Sequence, residues 1–378
     1  MKVLLTGAHF TPAVAVAEEL KKYPNVKLVY VGRKTTLEGD KTTSIESKVL
    51  PSLGVRFIPI ITGRLQREFT IYTIPSLLKI PIGILQALYI ILRERPDLVL
   101  SFGGYVAVPL VFSAWLFSIP ILVHEQTLVS GLANKISGWF ADKIALSFAQ
   151  KGKFGGRYMV TGNPLREMIK NTADVGQQRF SKEYEIFALA RKEKLPVVLI
   201  TGGNQGSHTI NRVVLDCLNQ LTKTACVIHV TGENKFKDFE RMKVLGKFEG
   251  RYLVKRWIGK EYGVVLSKVD LVVSRAGINT LTELAYIGKG ALVIPIPYLY
   301  ADEQNKNAEF FASIGLVKIL PQSKLSPDTM QSNIKICLND LNHFKKGAEN
   351  AKKIFVVDAA KRLALETLLL AKNLERVG

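Results

Sequence analysis

The chain is poor in the residues that staple, ligate or anchor a protein. Its 378 residues include three cysteines, Cys217, Cys226 and Cys337, none in CxxC spacing. Neither a disulfide framework nor a zinc site is indicated, and a reducing cytoplasm fits. No DxD pair and no His/Cys cluster with metal-ligand spacing occurs, so no metal is expected in catalysis and no cofactor is implied. Acidic residues are scarce too: 32 Asp plus Glu stand against 52 Lys plus Arg, a net charge of +20. Such a field favours an anionic partner (nucleic acid, anionic lipid or a phosphorylated substrate), or merely keeps the surface solvated. Basic stretches studded with aromatics are missing, so no nucleic-acid partner is expected. A strand-like run from Lys2 leaves no room ahead of it for a secretory leader.

What is present is an alternation. Short β-branched runs, "KLVYVG", "RFIPI", "DLVLSFGG", "PILVHEQ" and "KIALSF", are separated by longer helical patterns. The rhythm returns from Pro196 with "PVVLITGG", "ACVIHVTG", "YLVKRWI", "DLVVSRAG" and "ALVIPIP". With 47% hydrophobic residues, this predicts two α/β halves, each a parallel sheet covered by helices. One pair of segments makes the repeat concrete: Asp97 to Ser101 before "FGG", and Asp270 to Ser274 before "RAG". The boundary is expected near Thr161 to Pro164, giving domains over 1–162 and 163–355. The closing amphipathic pattern, about 356–378, is expected to pack back on the first domain.

The stretch from Phe69 to Leu92 is apolar on nearly every face. Lys79 interrupts it, Pro75 and Pro81 are expected to break it, and its uncharged runs fall short of the roughly 20 residues that a membrane span needs. A face through Ile84, Leu88 and Ile91 can cover the sheet. Ile71, Ile74, Leu77, Ile80 and Leu85 are then surplus apolar surface near Arg64, Arg67 and Arg93. That combination predicts docking on an anionic membrane surface, and a buried interface is the competing reading.

Several strand ends carry candidate chemistry. "TGGNQGSH" places Gly202, Gly203 and Gly206 between a strand and a helix, where free amides and the helix dipole favour a diphosphate. It is neither GxxxxGK[ST] nor GxGxxG. "SRAGINTLTE" puts Glu283 on a helix after a turn, able to accept from ribose hydroxyls or simply to complement the helix dipole. "ADEQNKN" groups Asp302, Gln304 and Asn307, whose amides suit sugar hydroxyls. In the first half, "SFGGY" repeats the glycine turn at Gly103 and Gly104, and His124, Glu125 and Gln126 end a strand. "TGAHFTP" places His9 between a strand and a helical pattern starting near Pro12, where a second and third glycine would suit a phosphate turn.

Six ordered motifs, "SFGGYVAVP", "HEQ", "TGNPLR", "TGGNQGS", "SRAGINTLTE" and "ADEQNKNA", run across nearly the whole chain. In that order they resemble the MurG family, the bacterial peptidoglycan N-acetylglucosaminyltransferases. The resemblance implies a GT-B fold, two Rossmann-like domains facing across a cleft. It also implies UDP-N-acetylglucosamine in the C-terminal domain and an undecaprenyl-linked muramyl acceptor on the N-terminal, membrane-binding side, at the cytoplasmic face of the membrane. Residue by residue it implies Gly203, Asn204, Gln205 and Gly206 at the donor, with Asn204 where serine is usual, and Ile258 beside the uracil. Ile278, Asn279, Thr280, Leu281, Thr282 and Glu283 would line ribose and diphosphate, Gln304 would hold the donor sugar, and Arg166 would sit near the cleft. Gly7, Gly103, Gly104, Tyr105, Gln126 and Thr127 would contact substrate, Thr127 replacing a usual asparagine and Glu303 a usual histidine. The family's GGTxGHxxP loop has shrunk to "TGAHFTP", keeping His9 and Pro12. His9 is expected to be the general base of an inverting transfer, with Glu125 as the second candidate proton acceptor. Rival readings are another GT-B enzyme, such as a UDP-N-acetylglucosamine 2-epimerase or glycolipid glycosyltransferase, and a non-catalytic nucleotide-sugar or membrane-binding protein.

Overall fold

Strand β1 (Lys2–Thr6) illustrates why the sheets form. Val3 and Leu5 enter one apolar cluster while Leu4 enters another on the opposite face, the two-residue period of a strand covered on both sides. In the computed structural model, which describes residues 1–34, 44–63, 73–150, 152, 155–170, 172, 182–203, 206–245 and 248–373, the same alternation recurs. Val99 faces the Leu4 side, and Leu98 and Leu100 face the Val3 side.

Strands β2 (Lys27–Gly32), β3 (Arg56–Pro59), β4 (Leu98–Ser101), β5 (Ile121–Glu125), β6 (Lys143–Leu146) and β7 (Tyr158–Val160) join β1 in the order β3-β2-β1-β4-β5-β6-β7. A second sheet contains β8 (Val197–Thr201), β9 (Cys226–Val230), β10 (Tyr252–Lys255), β11 (Leu271–Ser274), β12 (Ala291–Val293) and β13 (Val317–Ile319), ordered β10-β9-β8-β11-β12-β13. All these pairings are parallel. Each sheet reverses its strand order once, at β1/β4 and at β8/β11. In open α/β sheets ligands collect beyond the carboxyl ends of the strands at that point.

The repeat seen in sequence has a structural cause. Asp97 accepts from the Lys2 backbone N–H at 2.6 Å, and Asp270 accepts from the Val197 N–H at 2.7 Å. In both halves an aspartate just before the second central strand satisfies the otherwise unpaired first amide of the first.

The chain divides into two compact units, Met1–Arg166 with Val356–Gly378, and Glu167–Phe355. The C-terminal helix Ala359–Asn373 belongs to the first, where Ala360, Leu363, Ala364 and Leu368 complete the cluster around Val3, Val14 and Leu20.

The helix Thr73–Glu94 runs unbroken through Pro81, contrary to the sequence expectation. Pro75 falls in its first turn, where no N–H is needed, and Pro81 is exposed, where only one helix bond is lost. Ala87, Ile90 and Ile91 are buried, whereas Ile84 and Leu88 are half-buried, so the inward face lies slightly rotated from that expected. Ile74, Leu78, Ile82, Leu85, Tyr89 and Leu92 are each more than half exposed. Their spacing of three and four residues makes one stripe along five turns. Leu77 lies on this helix with its side chain outside the described residues, as are Arg64, Arg67 and Ile71. Among the described residues no helix is long and apolar enough to cross a membrane.

Candidate active site

In the first unit the β1 turn is short: Gly7, Ala8 and His9 separate Thr6 from a helix, Phe10–Leu20, that starts two residues earlier than Pro12. It lies back to back with the turn after β4. Ala8 N–H donates to Gly103 O at 2.8 Å, a Cβ on Gly104 would come within 2.5 Å of the Ala8 Cβ, and one on Gly7 within 2.8 Å of the Phe102 carbonyl carbon. Gly7 and Gly104 thus serve close approach of two turns, and a Cβ on Gly103 would come within 2.3 Å of the Asn134 side chain, packing roles that leave His9 as the side chain offered at this strand end.

The His9 Nδ1 lies 2.6 Å from the Gln126 side-chain amide. Loss of solvent pushes the half-buried imidazole down to about 4, so it is neutral at pH 7. Behind it, His124 is fully buried and is lowered to about 3 by the same cause, its Nε2 within reach of Ser147 Oγ at 3.1 Å and Gly162 O at 3.4 Å.

Glu125, 3% exposed, is already engaged. Its Oε1 accepts from the Thr127 N–H at 3.1 Å and the Thr127 hydroxyl at 2.8 Å, and its Oε2 accepts from Asn134 Nδ2 at 2.9 Å. That arrangement braces the loop after β5, turns Thr127 inward, and leaves the carboxylate little freedom to take a proton from substrate. Tyr105 is held by Arg33, whose Nη1 donates to its hydroxyl at 2.8 Å and whose guanidinium lies 5.2 Å from the ring centroid. Arg33 escaped the sequence reading because the run that follows it carries no motif. Arg166 is the last residue before the second unit and is partly exposed.

In the second unit the β8 turn is twice as long, Gly202 to Ser207. Gly203 sits at φ +82° with nothing among the described residues within 4 Å of where a Cβ would be, whereas a Cβ on Gly206 would lie 1.9 Å from Thr231 O. Asn204 and Gln205 lie outside the described residues. Ser207 caps the helix His208–Thr224 by accepting from the Ile210 N–H at 3.4 Å. Below the turn, Asp238 accepts from His208 Nδ1 at 2.9 Å, Asn211 Nδ2 at 2.8 Å and Asn234 Nδ2 at 3.0 Å, which ties the helix start to the loop after β9.

The β11 turn holds a residue that sequence reasoning passed over. Arg275, 6% exposed, donates from Nε to Ser207 Oγ at 3.1 Å and from Nη1 to Ile294 O at 3.0 Å. The signal available was an arginine directly after a strand of buried apolar residues, in "LVVSRAG". The helix Ile278–Ile287 follows. Ile278, Leu281, Thr282 and Glu283 are buried on it, and Asn279 and Thr280 are the half-exposed ones in its first turn. Ile258 is half-buried after β10, beside the exposed Trp257. Gln304 is pinned: its Oε1 accepts from the Ile296 N–H at 3.0 Å. Ala301 and Asp302 just before it are both left-handed, at φ 50° and 57°, a backbone cost of the kind found where a loop is held for function.

Residues 6–146 match the family model for the glycosyltransferase family 28 N-terminal domain, and residues 197–363 that for the family 28 C-terminal domain. A UDP-N-acetylglucosamine–N-acetylmuramyl-(pentapeptide) pyrophosphoryl-undecaprenol N-acetylglucosamine transferase of Bacillus cytotoxicus is 31% identical over 363 residues, 95% of each chain. The enzyme of that name from Pediococcus pentosaceus is 30% identical over 362 residues, again 95% of each. Among solved structures, MurG of Acinetobacter baumannii superposes with a TM-score of 0.68 at 23% identity, covering 97% of this chain and 99% of that one. A putative UDP-N-acetylglucosamine 2-epimerase from Listeria monocytogenes reaches the same TM-score of 0.68 at 15% identity, covering 96% of this chain and 94% of that one. The backbone alone therefore does not separate a transferase from an epimerase; the sequence relationship does.

Proposed function

The chain belongs to glycosyltransferase family 28, among the UDP-N-acetylglucosamine–N-acetylmuramyl-(pentapeptide) pyrophosphoryl-undecaprenol N-acetylglucosamine transferases, and from that membership we propose its reaction. It moves N-acetylglucosamine from UDP-N-acetylglucosamine to the 4-hydroxyl of the muramyl sugar on an undecaprenyl-pyrophosphoryl acceptor, in peptidoglycan synthesis. The observation that carries this reading is identity above 30% along essentially the whole chain, both units included. The second unit takes the donor, its open β8 turn receiving the diphosphate, Glu283 the ribose, Ile258 the uracil and Gln304 the sugar.

The first unit takes the acceptor, with His9 as base. A side-chain amide has two isosteric orientations. With Gln126 Oε1 accepting from His9 Nδ1–H, the lone pair is on Nε2, free to take the proton of the attacking hydroxyl. Attack forms the C1–oxygen bond to the acceptor, breaks the C1–oxygen bond to the β-phosphate with its electron pair leaving on UDP, and inverts the anomeric carbon. One base and no covalent enzyme intermediate suffice. Glu125 and Asn134 hold the loop that carries Gln126.

The acceptor's lipid gives the exposed stripe on Thr73–Glu94 a purpose: it docks on anionic membrane at the cytoplasmic face. Exposed Trp115 and Trp139 near the ends of the next two helices on that side, and exposed Arg93, support this reading. An epimerase acting on a soluble nucleotide sugar has no use for such a surface.

Incubating the protein with radiolabelled UDP-N-acetylglucosamine and a lipid I analogue tests the reaction. Label is expected in the lipid product; epimerised nucleotide sugar without lipid product would instead support the rival reading. Ile74, Leu78 and Leu85 changed together to serine should release the folded protein from anionic liposomes, and retention would place docking elsewhere.

A further inference from the structure

We propose that Arg33 receives the acceptor's diphosphate in the first unit, doing with a side chain what the β1 turn has too few free backbone amides to do. The proposal rests on the acceptor reading of that unit. A pyrophosphoryl-linked acceptor brings two phosphates beside its reacting sugar, and holding them against protein takes donors or a cation. At this strand end the backbone donors are spent. The Ala8 N–H goes to Gly103 O, Phe10 and Thr11 at the helix start are buried, and Pro12 in the helix's first turn has no N–H. His9, which closes the turn, is a neutral imidazole and cannot balance the charge.

Arg33 stands where that charge is needed. Strand β1 lies between β2 and β4, its Thr6 paired with Val31 on one side and Ser101 on the other. Arg33 follows β2 and Tyr105 follows β4, so the 2.8 Å bond from Arg33 Nη1 to the Tyr105 hydroxyl passes across the end of β1, beside the turn that carries His9. The Arg33 main chain is pinned as well: its carbonyl accepts from Ser44 Oγ at 2.7 Å, and Ser44 caps the helix Ile45–Ser52. Glu46, in that helix's first turn, feels the charge of Arg33, yet loss of solvent still holds its carboxyl above the ordinary value. Among the described residues no carboxylate forms an ion pair with Arg33. A half-buried guanidinium fixed at one edge by a phenol presents its other N–H groups as a fork that matches phosphate oxygens. In a pyranose the 1- and 4-oxygens stand at opposite ends of the ring. With the 4-hydroxyl at His9, the diphosphate on the 1-oxygen therefore belongs at a neighbouring strand end.

Steady-state kinetics on the full chain, with UDP-N-acetylglucosamine and a lipid I analogue, tests this. Arg33→Met keeps the apolar stem; it should raise the KM for the lipid I analogue at least tenfold while the KM for UDP-N-acetylglucosamine stays within about twofold. Arg33→Lys should recover part of the loss, and serves alone if the methionine variant fails to fold. Lys34→Met removes an exposed charge next in the chain and should change neither KM by more than about twofold. Calorimetry with farnesyl diphosphate and farnesol, a prenyl chain with and without the anion, gives a second readout: the loss in Arg33→Met should fall on the diphosphate alone. Equal rises in both KM values would make Arg33 a brace of the first unit. An unchanged acceptor KM, or a rise matched by Lys34→Met, would also overturn the proposal. Wild type that transfers label yet binds farnesyl diphosphate no tighter than farnesol removes the anion site but leaves the acceptor reading. Arg33-dependent binding of farnesyl diphosphate without transfer to the lipid I analogue does the reverse, and neither binding nor transfer ends both.

Discussion

Two strand-turn-helix joins occupy equivalent places in the two units. After β1 the chain turns in three residues, Gly7 to His9; after β8 it takes six, Gly202 to Ser207. The short turn is packed tightly against its neighbour and offers an imidazole, whereas the long one is open at Gly203 and ends on a capped helix beside a buried arginine. One topology thus supports two chemistries: room for backbone amides to surround an anion, or a single side chain where no such room exists. Fold class predicts where a ligand binds, and turn length predicts what can be done with it.

The largest expected effect separates the two joins. His9→Ala should lower turnover by about 10² to 10⁴ with UDP affinity nearly unchanged, because general-base catalysis contributes on that order and the proposed donor site is on the other unit. Turnover above about a third of wild type would reduce the first join to a mere turn.

Next comes stability. Leu363 is fully buried in the first unit's core although it lies in the C-terminal helix. Leu363→Ala should cost about 2–5 kcal/mol, read by hydrogen exchange as faster opening of β1 and β4 but not of β8 and β11. Equal loosening of both units would contradict their separate cores.

On the donor side, Glu283→Ala should weaken UDP by about tenfold or more, since a hydrogen bond to a charged group is worth roughly 1.5–3 kcal/mol. Unchanged affinity by calorimetry would strike Glu283 from the donor site.

The last effect is a slope. Burial holds His9 at about 4 and His124 at about 3 in the first unit, and His229 at about 3 in the second. Each lies below its unfolded value near 6.5, so the unfolded chain gains protons first as pH falls. The stability these groups contribute is complete above pH 6.5 and is lost on acidification toward pH 3 to 4, by about 1.4 kcal/mol per group per pH unit. Between pH 6.5 and 5 the first unit, with two such groups, should lose protection against exchange about twice as steeply as the second. Parallel slopes would mean that His9 keeps its solvent.

Much of this was legible in the chain. Alternating runs predicted both sheets, and the pair of Asp-Leu-Val segments marked equivalent central strands, because a strand covered on both faces must be apolar throughout and its neighbour's first amide needs an acceptor. Motif order also identified the family, since "TGGNQGS" and "SRAGINTLTE" carry their meaning locally. Surplus apolar surface between Phe69 and Leu92 was visible too, but the prolines misled: a helix tolerates one missing bond on a solvent face. Three matters were decided by tertiary structure alone. Glu125 became a brace because Thr127 and Asn134 fold onto it, Gly103 was taken up by the Asn134 side chain and Gly104 by contact between two turns, and Arg275 became a buried cation because Ser207 and Ile294, 68 residues before it and 19 after, supply its partners. Periodicity and turn chemistry act between near neighbours and can be read along a chain. The environment of a charged side chain is set by residues far away in sequence, and that environment determines whether the charge binds, braces or reacts.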